Sequence, residues 1–295
     1  MKIYNTLQLF VDCLKKWETL PSESELLKNY LEPLENLLAP MLKDFSSHGR
    51  PSFYETLSSL NWKEYREQTL GLDPSRELKR LKHQMSLVEN IFSLTLECEV
   101  VLWGAFTLMD GYARFDKGTH RVYLGVDEQF LHPHYLNILM SHELTHVARE
   151  SRPSVWTGFG LDPEMSHTQF QKSQPVIEHL FSEGFSCVVS EILNPSDQPW
   201  NYVYQTKDSL EQVFENGPAV DRVVHHHLKD KSASYRTLYD LSQYSRQLPR
   251  YSHYAWAWQW VKKVLADFGH GDPKQILTLC SKELMDHAMS FRLGC

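Results

Sequence analysis

The chain lacks the features that would place it in several broad classes. Its five cysteines, Cys13, Cys98, Cys187, Cys280 and Cys295, are odd in number, widely spread and never in a C-x-x-C arrangement. That excludes a disulfide framework or a thiolate zinc knot and predicts reduced thiols in a cytoplasmic protein. No apolar run is long enough to span a bilayer. From Met1 to Leu20 the apolar residues are interrupted by Asp12, Lys15, Lys16 and Glu18, so no signal peptide is expected, although export by a signal-independent route stays open. A basic excess is also missing. Thirty Lys plus Arg stand against 37 Asp plus Glu, a net charge of -7, and this argues against nucleic acid or an anionic membrane as partner.

What is present is ample material for a core: 295 residues, 42% of them hydrophobic. From Tyr4 to about Leu96 the apolar residues recur near the helical period, cut by Pro21, Pro33, Pro40 and Pro51. Asp73-Pro74, an N-cap followed by proline at the first helical position, predicts a helix from Pro74 to around Leu96. From residue 99 to 126 the composition turns β-branched and aromatic. Asp110-Gly111 and Lys117-Gly118 divide it into three strand-like runs, which predicts an antiparallel meander. Helical periodicity returns over 134–150, after Pro133, and again over 175–193, with a Pro, Ser, Gly and Thr-rich stretch of 151–174 read as a long loop. The remainder is again read as mostly helical, notably from Tyr254 to Phe268, closed by Gly269, with a last helix opened by Asp272-Pro273. The expected class is α+β, mostly helical, with a small antiparallel sheet packed against the 134–150 helix. The expected organisation is a helical region, 1–97, followed by a domain of 98–295.

The chemistry-bearing element is His142-Glu143-Leu144-Thr145-His146. Residues four apart lie on one helix face, so His142 and His146 can offer two imidazole nitrogens to one ion. Glu143 sits about 100° around the axis, beside the ion and outside its coordination shell. Two neutral nitrogen ligands and a carboxylate able to take a proton from metal-bound water are what a zinc hydrolase needs. The competing explanation is coincidence in a chain with 15 histidines. A mid-helix position behind a strand-like run favours the metal reading.

A catalytic zinc usually takes three protein ligands. The extended pattern H-E-x-x-H-x-x-G-x-x-H would need Gly at 149 and His at 152, where the chain has Arg149 and Arg152. The best third candidate is Glu183, beside the packed face of the 175–193 helix, where Gly184 lets another backbone approach closely. His179, one turn earlier, is its main competitor, with Glu178, His167 and Glu164 behind it.

The pair of elements, His142-Glu-Leu-Thr-His146 and, 37 positions later, Glu183-Gly184, resembles the gluzincin type of zincin metallopeptidase, in particular a bacterial family of predicted zinc-dependent proteases. The resemblance covers roughly residues 99–268. It implies a two-helix cradle for one zinc ion, with His142, His146 and Glu183 as ligands and Glu143 as general base, acting on a peptide or protein substrate. It further implies an edge strand alongside the cleft, for which His120 to Val126 is the candidate. Many relatives carry an acid one turn after the glutamate ligand. Here that position is Cys187, so support for the histidines is expected from Glu191 or a backbone carbonyl. Tyr254 or His253, just before a helix, resembles the downstream Tyr or His that donates to the oxyanion in such peptidases.

Two other motifs invite a ligand reading and are better read otherwise. His225-His226-His227 points its rings in different directions on a helix and is read as solvated. Trp200 to Tyr204, like Trp256, Trp258 and Trp260, is read as packing. A rival from another class is a catalytically silent zincin-like protein serving as a protein-binding module.

Overall fold

The computed structural model describes residues 2–47, 52–116, 119–127, 135–162, 164–195, 197–230, 238 and 248–294. Lys117-Gly118 and Pro133-His134, used above as turn and helix-start signals, lie outside them. The molecule is α+β, mostly helical with one small four-stranded mixed sheet. Its residues group into two compact units: Met1–Gln84, Glu97–Arg114 and Thr119–Met140 in the first, Met85–Leu96, Phe115–Gly118 and Ser141–Cys295 in the second.

The sheet consists of β1 (Lys2–Asn5), β2 (Cys98–Trp103), β3 (Gly111–Asp116) and β4 (Thr119–Gly125), in the order β1-β2-β4-β3. The expected antiparallel meander is corrected on two counts. β1 pairs parallel to β2, with Lys2 opposite Glu99, and β2 pairs parallel to β4, with Val100 opposite Val122. A parallel pair needs a long crossover, and the first of these is the whole helical run between β1 and β2. Tyr4, read as helical, lies in β1, opposite Val101 of β2, a partner far along the chain. The second correction concerns the edge: β4, the His120 to Val126 run, is flanked by β2 and β3, and the outer strands are β1 and β3.

Within the first unit the aromatic rings of Phe10, Tyr30, Phe53, Trp62 and Tyr65 all pack on Phe106. Phe106 and Thr107 both have positive φ, 49° and 60°, conformations that bulky residues rarely adopt. Asp127 holds this turn: Ala105 N–H and Thr107 N–H donate to its carboxylate at 2.6 and 2.9 Å, and the Tyr65 hydroxyl donates at 2.9 Å. A buried carboxylate with three donors is satisfied in the way that burial demands.

The second unit is mostly helical. The predicted start at Asp73-Pro74 lies in the first unit and opens the helix Pro74–Phe92, whose residues from Met85 onward belong to the second, with Asp73 Oδ1 accepting from Ser75 N–H at 2.9 Å. The site helices run Tyr135–Glu150 and Val176–Leu193, and a third, Ser252–Gly269, packs on the latter. Gly184 makes that packing possible, because a Cβ there would meet the Ala257 carbonyl oxygen at 2.3 Å. The stretch read as a long loop contains two short helices, Pro153–Thr157 and His167–Ser173. Proline at the first turn starts one, and a Ser166–Gln169 capping box starts the other. Val155, Trp156 and Phe170 supply a small core between them, which polar composition concealed.

Candidate metal centre

The site helix Tyr135–Glu150 is buried on nearly all sides, so its polar residues need partners from within the protein. Arg149 finds them in Glu178: its Nε donates to Oε1 at 2.9 Å and its Nη2 to Oε2 at 2.8 Å. Arg149 also donates to the Leu277 and Leu279 carbonyls at 2.8 and 2.9 Å, and Ser281 Oγ donates to Glu178 at 2.6 Å. This closed network ties the Tyr135–Glu150 and Val176–Leu193 helices together one turn from the histidines.

Between the same two helices, three donor atoms converge. His142 Nε2 lies 3.1 Å from Glu183 Oε2 and 3.1 Å from His146 Nε2, and His146 Nε2 lies 3.5 Å from Glu183 Oε2. Ligands held about 2.05 Å from a tetrahedral zinc would be about 3.3 Å apart. The triangle has that size. Its residues are buried, at 3%, 8% and 9% exposure for His142, His146 and Glu183. The group could hold a metal ion, and among the described residues no other His, Cys, Asp or Glu group of three is drawn together in this way.

No family model matches this chain, and neither the curated proteins nor the solved structures offer a match.

The electrostatics of the triangle are those of a site that wants positive charge. Burial works against a proton on His146, but the Glu183 carboxylate, with Glu143 and Glu150 nearby, raises it to about 9. Burial likewise opposes ionisation of Glu183, yet His146 and His142 hold its carboxyl well below the usual range. Burial, with the charge of His146, lowers His142 against the pull of Glu183. A proton on His146 thus stands where a cation would.

The other sequence-selected residues take distinct places. Glu143 is buried on the turn that carries the ligands, close enough for its charge to act on His146. His179, the competing third ligand, approaches the opposite oxygen of Glu183, Nδ1 to Oε1 3.8 Å, and lies outside the triangle. Glu178 belongs to Arg149, the His167 ring nitrogen accepts from Phe115 N–H at 3.2 Å, and Glu164 is exposed. His253 is fully buried with its ring stacked on that of His179. Tyr254 is partly exposed, its ring 6.3 Å from that of His142. His225 packs on Trp256, and His227 Nδ1 is 2.7 Å from Asp230.

Support for His146 comes from a group that sequence reasoning missed. Ser182 Oγ lies 2.9 Å from His146 Nδ1, and the only hint was its place beside Glu183. Glu191, expected to back a histidine, instead accepts from Trp258 Nε1 at 2.7 Å and Lys262 Nζ at 2.9 Å. Cys187 occupies the position behind His142, Sγ to Nδ1 3.9 Å. Tyr204, read as packing, sets its ring edge-on to His142 at 5.1 Å and to Tyr254 at 5.7 Å.

Proposed function

We propose that His142, His146 and Glu183 bind a single zinc ion and that the chain is a zinc-dependent peptidase of the gluzincin type. The observation that carries this reading is the donor triangle of 3.1, 3.1 and 3.5 Å, with Glu143 on the same helix turn. Two imidazoles and one carboxylate form a borderline-hard donor set that suits zinc and leaves a coordination position for water.

Zinc, when bound, supplies a Lewis acid that brings the pKa of a coordinated water toward neutrality. Glu143 is the base that takes the proton as water attacks the peptide carbonyl carbon, and the acid that returns it to the leaving amine. Tyr254, which unlike His253 has exposed surface, is the donor to the oxyanion. Ser182 accepts from the outer N–H of His146 and so presents Nε2 to the ion.

The near-complete burial of the three ligands also favours a second reading, a silent zincin-like protein in which the ion is structural. Neither reading has a membrane-crossing element, since no helix among the described residues is long and apolar enough to span a bilayer. A peptide-library cleavage assay with a chelator control separates the two. Cleavage that stops with chelator and returns with zinc supports the peptidase; a zinc-loaded protein that cuts nothing supports the silent form.

A further inference from the structure

The two ligand histidines are held in unequal ways. Behind His146 stands a hydroxyl at hydrogen-bond distance, Ser182 Oγ at 2.9 Å from Nδ1. Behind His142 stands the Cys187 thiol at 3.9 Å, and a thiol is a weak acceptor even at close range. Metal-bound imidazoles normally need a firm partner on the outer nitrogen, because that bond selects the tautomer and stops the ring from turning. His142 therefore needs its restraint from elsewhere.

Ring packing is what surrounds it. Tyr204 stands edge-on to the His142 ring, 5.1 Å between centroids at 83°. It also packs on Tyr254 at 5.7 Å, and Tyr254 lies 6.3 Å from His142. The backbone at Tyr204 is left-handed, φ 57°, a conformation suited to glycine and costly for an aromatic residue. Nothing in the local Tyr202-Val203-Tyr204-Gln205 sequence asks for it. The turn is fixed by the residue that follows: Gln205 N–H donates to the Trp200 carbonyl at 2.9 Å, and Gln205 Nε2 donates to the Arg250 carbonyl at 2.7 Å. Tyr251, next to that carbonyl, is left-handed too, φ 62°, and immediately precedes the Ser252–Gly269 helix that bears Tyr254.

We infer that Tyr204 is a positioning residue for the metal centre, whose ring holds His142 in its ligating orientation where the thiol of Cys187 cannot. The inference rests on the zinc reading of the triangle. The work is done by the ring and not by the hydroxyl, so phenylalanine serves equally well at this position. The strained turn is the means by which the ring is delivered to the histidine.

The test compares the full chain with Tyr204→Phe, Tyr204→Gly and Cys187→Ala. Zinc affinity is measured by competition with a chromophoric chelator, and ligand geometry by the visible spectrum of the cobalt-substituted protein. Glycine takes a positive φ without strain, so Tyr204→Gly removes the ring while keeping the turn, and thermal unfolding checks that it folds. Expected are a roughly 10- to 100-fold loss of affinity and an altered cobalt spectrum in Tyr204→Gly, the scale seen when a ligand's support is removed. Tyr204→Phe and Cys187→Ala should stay within about threefold of the parent. An unchanged Tyr204→Gly, or a Tyr204→Phe that loses as much as the glycine variant, overturns the inference and leaves zinc binding by the parent intact. A parent chain that takes up no zinc overturns the metal reading and this inference with it. A second measurement needs no variant: in the metal-free parent, proton NMR should show Tyr204 ring protons in contact with those of His142, and absence of that contact also overturns it.

Discussion

Arg149 and Glu178 face each other as a two-bond pair, 2.9 and 2.8 Å, with both side chains almost wholly buried. The guanidinium also lies 4.4 Å above the Phe181 ring. Arg149 sits three residues after His146, and Glu178 five before Glu183, so the pair sets the spacing of the two helices that carry His142, His146 and Glu183. Removing one partner of a buried pair leaves a charge without compensation, at a cost of about 3–5 kcal/mol. Glu178→Gln or Arg149→Ala should therefore lower the melting temperature by roughly 10 °C, taking about 2–4 °C per kcal/mol. Thermal unfolding followed by circular dichroism checks this, and a shift of only one or two degrees would show that the network is dispensable.

Gly184 supplies the second prediction. A methyl group added there meets the Ala257 carbonyl oxygen at 2.3 Å, and main chain has little freedom to yield. Gly184→Ala should cost about 1–3 kcal/mol through forced separation of two packed helices. It should also weaken zinc binding, since Glu183 is the preceding residue. Urea unfolding and chelator competition read the two effects, and a variant as stable as the parent would contradict the close approach.

How much of this was legible beforehand follows from the range over which each signal acts. Helices set by local chemistry were readable: Asp73-Pro74 starts one, Pro175 stands at the N-cap of another, and the spacing of His142 and His146 needs nothing beyond 3.6 residues per turn. Glu183 was reachable because Gly184 announced a close backbone contact. The sheet was not, because β1 finds its partner only after the intervening helices, and hairpin signals say nothing about parallel neighbours. Ser182 and Tyr204 were hidden for another reason. Their roles depend on which face of a helix or turn meets His142 and His146, and a serine and a tyrosine have ordinary packing uses at any position.

A pH dependence follows from the triangle. In the metal-free protein His146 is raised above its ordinary 6.5 to about 9, chiefly against burial and by Glu183. Its contribution to stability is complete below about 6.5 and is lost as pH rises through about 9. Glu183 is depressed below its ordinary 4.5, so its contribution is present above that value and is lost as pH falls through the depressed pKa. Metal-free protein should thus lose stability between pH 7 and 10, as measured by denaturant midpoints. A midpoint that rises over that interval would contradict the coupling.

On the proposed zinc reading, the ion must displace the same proton. Below about pH 9, uptake should release about one proton from His146, and apparent affinity should fall about tenfold for each unit of decreasing pH. Calorimetry in buffers of different ionisation enthalpy counts the proton. Uptake with no proton release would mean that His146 is neutral before the ion arrives, or that it is not a ligand.

The most direct test is cleavage of a peptide library by Glu143→Gln alongside the parent chain, with zinc content measured in the same preparations. The substitution keeps the shape of the side chain and removes the base, leaving His142, His146 and Glu183 untouched. Equal zinc in the two proteins is expected, with turnover reduced on the order of 10²–10⁴-fold in the variant. Cleavage by Glu143→Gln at the parent's rate would contradict the account.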